Sequence, residues 1–312
     1  MWSSRLRSRF RPSLQALESR VAMSYAPVPA NTLAQVVGVV ANSGSEGVAS
    51  FNVAASNLSR GRSSTLIGIE VEPVAGSSLQ PRIVAVENAA GQALPLLNAA
   101  HYIPDAVGHS IAFARDSSAG PLTVVVAGSH GSSGAFNLIG YLPGDVNGSG
   151  SVTIQDLPGF QKSYYTTNVD AFYNPAADAN RNGAVGYKDA QVLVRNEAPL
   201  GPKTPIGFYV TLAPQDRLHG PTPMNSGGVT AVKTPTLIGR TTPGSIVLLD
   251  DPAGDYKFTG GALATDAQGR FSVTIQTTGG FTNVDFLVLT PYGQQKLFDY
   301  PIVWTLFDKK VK

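Results

Sequence analysis

Two acidic loops of one design, Asp145–Asp156 and Asp178–Asp189, stand 33 residues apart and constrain this chain more than any other stretch. Aligned on the first aspartate, both carry Asp at position 1, Asn at 3, Gly at 6, Val at 8 and Asp at 12. Tight turns alone would account for the Asn-Gly pairs Asn147-Gly148 and Asn182-Gly183. They do not account for aspartates matched at both ends of both copies.

A twelve-residue loop of this pattern is built to surround a hard cation. Ca²⁺ takes about six to eight oxygen ligands at roughly 2.3–2.6 Å, supplied by side chains at positions 1, 3 and 5, a carbonyl at 7 and a carboxylate at 12. Position 6 needs glycine because the backbone turns sharply there. The predicted ligands of the first loop are Asp145, Asn147, Ser149, the Ser151 carbonyl and Asp156, with Thr153 facing a water. Those of the second are Asp178, Asn180, Asn182, the Ala184 carbonyl and Asp189. Two Ca²⁺ sites are therefore expected. Val152 and Val185 are expected to pair backbone to backbone and to bury their side chains between the loops. Two carboxylates per loop point to weak affinity, near the ~10⁻⁴–10⁻³ M of extracellular modules.

On these residues the stretch from Gly144 to Asn196 resembles a type I dockerin domain, a small α-helical module of two calcium loops, each running into a helix. The resemblance implies docking to a cohesin-like partner through loop positions 10 and 11 and the following helix. Those positions are Ile154-Gln155 in one copy and Tyr187-Lys188 in the other, so a symmetric two-way binding mode is not expected. Pro158 and Gly159 directly after Asp156 compromise the first helix, because proline in a helix interior removes a hydrogen bond. Gly186 at position 9 withdraws one ligand side chain.

The rest of the 312 residues is long enough for further domains. Charged residues make up only 14% while Gly (33) and Pro (22) are plentiful, which suits β-rich domains joined by turns. A net charge of +2 leaves no basic footprint and excludes nucleic acid as a partner. Without cysteine there are neither disulfides, thiolate metal sites nor a cysteine nucleophile. No apolar run reaches the length of a membrane span.

At the N-terminus, Arg5, Arg7, Arg9, Arg11 and Arg20 face a single acid, Glu18, with no continuous apolar segment of the secretory kind. Taken alone this is a cationic tail. The run Arg11-Pro-Ser-Leu14-Gln-Ala-Leu17-Glu18-Ser-Arg20 resembles the short N-terminal segment of planctomycete extracellular proteins, which implies export from a bacterium. From Asn31 to Tyr141, short runs read as strands: Leu33–Val40, Val48–Val53, Thr65–Glu72, Ile83–Val86, Ser110–Phe113, Leu122–Val126 and Ala135–Ile139. Regular strands with Gly/Ser turns predict an antiparallel sandwich. Ile67, Ile69 and Val71 alternate with Glu70 and Glu72, placing the glutamates on a solvated face. His101, Asp105 and His109, spaced by four, would share a helix face as metal ligands, but Pro104 and Gly108 break such a helix and favour a polar loop.

After the stiff Pro199–Pro205 segment, strand-like runs return at Phe208–Leu212, Thr236–Ile238, Ser245–Leu249, Arg270–Ile275, Val284–Leu289 and Ile302–Trp304. Thr242-Pro-Gly244 and Asp266-Ala-Gln-Gly269-Arg-Phe271 resemble the turns of bacterial immunoglobulin-like repeats. Asp250, Asp251 and Asp255 read as a polar turn.

The expected architecture is mostly β and multidomain. It comprises an export leader (1–30), a β-sandwich (31–141), the dockerin-like module (142–198), a proline-rich linker (199–206) and an immunoglobulin-like β-sandwich (207–312). The expected function is that of a non-catalytic secreted or cell-surface protein whose calcium module assembles domains or docks a cohesin-like or other surface protein. The alternative is an accessory or enzymatic component of extracellular polysaccharide breakdown, with a glycan as a further partner. A glycosidase needs two carboxylates flanking a sugar cleft, and no such pair stands out.

Overall fold

The computed structural model describes residues 28–98, 108–197, 206–217, 228–250, 256–258, 263–277, 280–292 and 294–305. The arginine-rich leader up to Pro27, His101 and Asp105, the Pro199–Pro205 linker, and Asp251 and Asp255 lie outside these residues. The chain is mostly β, with several antiparallel sheets and two short helices.

Eight strands build the N-terminal body: β1 (Thr32–Val40), β2 (Glu46–Val53), β3 (Thr65–Pro73), β4 (Pro81–Glu87), β5 (Leu96–Asn98), β6 (Ser110–Asp116), β7 (Gly120–Gly128) and β8 (Gly134–Tyr141). They form a five-stranded sheet in the order β1-β8-β3-β6-β5 and a three-stranded one in the order β2-β7-β4. The predicted alternation on β3 is present: Ile67, Ile69 and Val71 are fully buried and join Val124, Val126, Phe136 and Leu138 in one core. The three-residue β5 was not expected, because it is too short to show a period of two.

The opposite face of the five-stranded sheet is covered at one end. Leu66, Phe113 and Tyr141 point there and pack against Ala179 and Val192 of the acidic-loop region. That region contains α1 (Leu157–Ser163) and α2 (Tyr187–Asn196). Pro158 falls in the first turn of α1, where a missing N–H costs no hydrogen bond. The expected disruption of this helix therefore does not occur, although α1 stays short.

The C-terminal body comprises β9 (Tyr209–Leu212), β10 (Gly228–Thr230), β11 (Thr236–Arg240), β12 (Ile246–Asp250), β13 (Tyr256–Phe258), β14 (Leu263–Ala264), β15 (Arg270–Thr277), β16 (Gly280–Leu289) and β17 (Gln295–Thr305). Its two sheets run β10-β17-β16-β12-β14 and β13-β15-β11-β9, with a parallel pair at β10–β17. Both expected turns form: Ser245 N–H donates to the Thr242 carbonyl (3.2 Å) and Gly269 N–H to the Asp266 carbonyl (2.9 Å).

A continuous apolar run such as Ile246-Val-Leu-Leu249 needs cover on both faces. Val247 and Leu249 point into the body's own core with Phe271, Ile275 and Phe286. Ile246 and Leu248, with Leu287 and Leu289 of β16, belong instead to the cluster that holds Phe160, Tyr164 and Leu193. The Tyr164 hydroxyl also donates to the Leu249 carbonyl at 3.4 Å. The acidic-loop region is thus packed against the C-terminal sheet as well as the N-terminal one.

Candidate metal centre

The two acidic loops share one pattern of bonds from backbone N–H groups to their aspartates, and the second adds a Tyr173 hydroxyl that donates to Asp178 Oδ2 at 2.7 Å. In the first, Asp145 accepts from Ser149 N–H through Oδ1 (2.9 Å) and from Gly150 N–H through Oδ2 (2.8 Å). In the second, Asp178 accepts from Asn182 N–H (3.1 Å) and Gly183 N–H (2.8 Å). Position 3 follows suit: Asn147 Oδ1 accepts from Ser149 N–H (2.9 Å) and Asn180 Oδ1 from Asn182 N–H (3.0 Å). At position 12, Asp156 holds Asn147 N–H (3.1 Å) and Thr153 N–H (2.8 Å), while Asp189 holds Asn180 N–H (3.0 Å) and Gly186 N–H (2.8 Å). Gly150 and Gly183 at position 6 take φ of 81° and 84°, the left-handed region in which only glycine is unstrained.

All four aspartates are buried, at most 1% exposed, whereas Asn147, Ser149 and Asn182 sit at the exposed rim. None of the ion pairs among the described residues reaches these carboxylates. Burial is the leading influence on their protonation. It pushes Asp156 up to about 6 and, helped by the nearby Asp178 charge, Asp189 up to about 8. Asp145 and Asp178 are raised by burial too, Asp145 against the pull of its backbone N–H bonds and Asp178 against that of the Tyr173 hydroxyl, of the Gly183 and Asn182 N–H groups and of the Arg181 charge. Two inward carboxylates and an amide oxygen at position 3 give each loop a hard, all-oxygen donor set that suits Ca²⁺, to which the first loop adds a Ser149 hydroxyl that donates to the Ser151 carbonyl at 3.1 Å. In the second loop, Asn182 Oδ1 accepts from Ala184 N–H at 2.9 Å.

One expectation about the loops is corrected. Val152 and Val185 are buried in the shared core, but they do not form a backbone pair. Val185 donates to the Thr166 carbonyl and its own carbonyl accepts from Tyr165 N–H, both at 2.8 Å. The chain leaving α1 reverses at Tyr165 (φ 63°) and takes the place expected for the other loop. The Thr153 hydroxyl accepts from Gln155 N–H at 3.3 Å and caps the short helical turn before α1.

The contacts that fasten the loops to the N-terminal body were not foreseen. Arg181, at position 4 of the second loop, holds a left-handed φ of 58°. Its guanidinium donates to the Pro175 carbonyl (2.6 Å) and Asn31 Oδ1 (2.9 Å) and lies 4.4 Å over the Tyr141 ring. The Tyr141 hydroxyl in turn donates to the Ala179 carbonyl at 3.1 Å. The first loop is tied by Asn57, whose amide donates to the Gly150 carbonyl at 2.8 Å. At the end of α2, buried Asn196 accepts from Leu66 N–H (2.7 Å) and donates to the Leu66 and Pro143 carbonyls (both 2.9 Å). The one available signal was Arg181 itself, a long cation where the first copy has Gly148.

Glu70 and Glu72 do not stand on an open face. They lie half-buried beside His109, which contacts Glu70 at 3.0 Å. His109 thus meets the glutamates, while its proposed partners His101 and Asp105 lie outside the described residues. The Glu70 hydrogen bond leads in raising the His109 pKa. The chain matches no protein-family model and no curated protein at a significant level. Among the described residues, no helix is long and apolar enough to cross a membrane.

Proposed function

We propose that the duplicated loops bind two Ca²⁺ ions and act as a calcium-dependent clasp that fastens the two β-bodies of a secreted or cell-surface protein. The observation that carries this reading is the repeated cage: four buried aspartates, paired two by two, each held by backbone N–H groups, Asp178 also by the Tyr173 hydroxyl, and none in an ion pair among the described residues. Buried carboxylates left in this state are costly, and an ion seated among them removes the cost. An ion that binds only the folded form stabilises it by mass action.

The clasp reading is preferred to docking of a free cohesin-like partner. The apolar residues of α2, Val192, Leu193 and Val194, are buried within this chain and are not open to a partner. Weak sites suit the millimolar calcium outside cells, and bacterial export is the setting this proposal assumes. The module remains dockerin-like in pattern and the C-terminal body immunoglobulin-like in its turns; both assignments are part of the proposal. The test is thermal unfolding with Ca²⁺ and with EDTA, on the native chain and on Asp145→Ala/Asp178→Ala. The native chain should melt higher with Ca²⁺ and the double variant should not respond. An equal response in both would reject the loops as the calcium sites.

A further inference from the structure

We propose that Glu70, Glu72 and His109 form a third metal site, distinct from the two acidic loops and suited to a borderline divalent ion of the Zn²⁺ or Co²⁺ type. Residues two apart on a strand share a face, which places both glutamates on the outer side of β3. The antiparallel register that sets Val71 against Ser110 brings Glu72 opposite His109, with Glu70 on the diagonal. Directly opposed residues have Cβ atoms about 4.5–5.5 Å apart, the reach a shared ion requires. Glu70 Oε1 lies 3.0 Å from Nδ1 of His109 and Glu72 Oε2 3.8 Å from Nε2. One donor atom from each residue falls within 4.8 Å of the others.

Groups outside the trio steer both carboxylates. Asn137 Nδ2 donates to Glu72 Oε1 at 3.2 Å, leaving Oε2 turned toward the imidazole. On Glu70 the corresponding neighbour is Arg181, whose Nε lies 3.9 Å from Oε2. The Arg181 side chain is only 8% exposed, and its Nε–H has no hydrogen-bond acceptor, while the other guanidinium nitrogens donate to the Pro175 carbonyl and Asn31 Oδ1. An ion that draws Glu70 Oε1 away from His109 lets Oε2 turn to meet that donor. Outer-shell partners of this kind orient metal ligands. The trio lines a cavity of about 870 Å³ between the sheet and the second loop, with room for water to complete the shell. One imidazole nitrogen with two carboxylates and an open position matches the three-ligand zinc arrangement, and the nitrogen donor distinguishes it from the all-oxygen loops.

The test is titration of the full chain with Co²⁺ and Zn²⁺ at saturating Ca²⁺, so that the loops are filled, following Co²⁺ absorption and binding heat. The native chain and the control His130→Ala should take up one equivalent of either metal. His109→Ala should lose it, and Glu72→Gln, which removes a ligand carboxylate, should bind more weakly by at least the ~10- to 100-fold that losing a mere supporting group costs. Melting temperatures of both variants in Ca²⁺ show that the fold is intact. Absence of uptake by the native chain, or uptake unchanged in His109→Ala, would overturn the site and leave the trio as a plain ion pair, whatever the loops do with Ca²⁺.

Discussion

Arg181 Nη2 donates to Asn31 Oδ1 at 2.9 Å, joining the second acidic loop to the residue that leads into β1 across 150 positions of sequence. Asn31 extends the link by donating to the Leu142 and Ala176 carbonyls, both at 3.3 Å. A loop residue in a left-handed conformation is thereby held by the sheet it holds. Such conformations cost about 1–3 kcal/mol and persist where the surroundings over-determine them.

Replacing Arg181 with alanine should destabilise the chain by about 1.5–3 kcal/mol, the scale of hydrogen bonds to a charged group. Glycine at the same place should lose less, because it accepts φ of 58° without strain. Denaturant unfolding in Ca²⁺ measures both. Equal losses would show that strain at this residue is negligible.

Asn196→Ala should cost about 2–4 kcal/mol, since Leu66 N–H and the Pro143 carbonyl would be left buried without their partner. The loss should appear with and without calcium, because these bonds do not involve the loops. Chemical unfolding in both conditions tests this, and a loss confined to the calcium-bound form would count against it.

Without calcium, stability should fall as pH rises from about 5 to 8. The folded pKa values of Asp156 (about 6) and Asp189 (about 8) lie above the ordinary 3.8. The folded chain then binds more protons than the unfolded one across this window, and stability declines with pH. The stabilising share is complete below the ordinary carboxylate range and is lost as pH passes through the raised values. Calcium should flatten the decline by holding the loop carboxylates ionised. A residue of it should remain from Glu197, which burial raises to about 8 outside the loops. Melting curves across this range, with Ca²⁺ and with EDTA, provide the check.

The acidic loops were legible because their contacts are local: Asp145 and Asp156 meet through a turn that Gly150 permits, and spacing alone encodes it. The longer strands were legible for the same reason, as with Ile67, Ile69 and Val71. Contacts that depend on how distant elements meet were not. Glu72 and His109 become neighbours only through the register of β3 and β6. Asn196 and Leu66, 130 residues apart in sequence, meet only where the end of α2 reaches β3. The run Ser245–Leu249 reads as a strand, but what covers its two faces, Phe271 and Phe286 on one and the Phe160–Leu193 cluster on the other, comes only from the structure.

The most direct measurement of the central claim is calorimetric titration of the ion-free full chain with Ca²⁺. The account predicts two equivalents bound, near the ~10⁻⁴–10⁻³ M range of extracellular modules, with one equivalent lost in Asp145→Ala and the other in Asp178→Ala. No binding heat, together with the same melting temperature in Ca²⁺ and in EDTA, would contradict it.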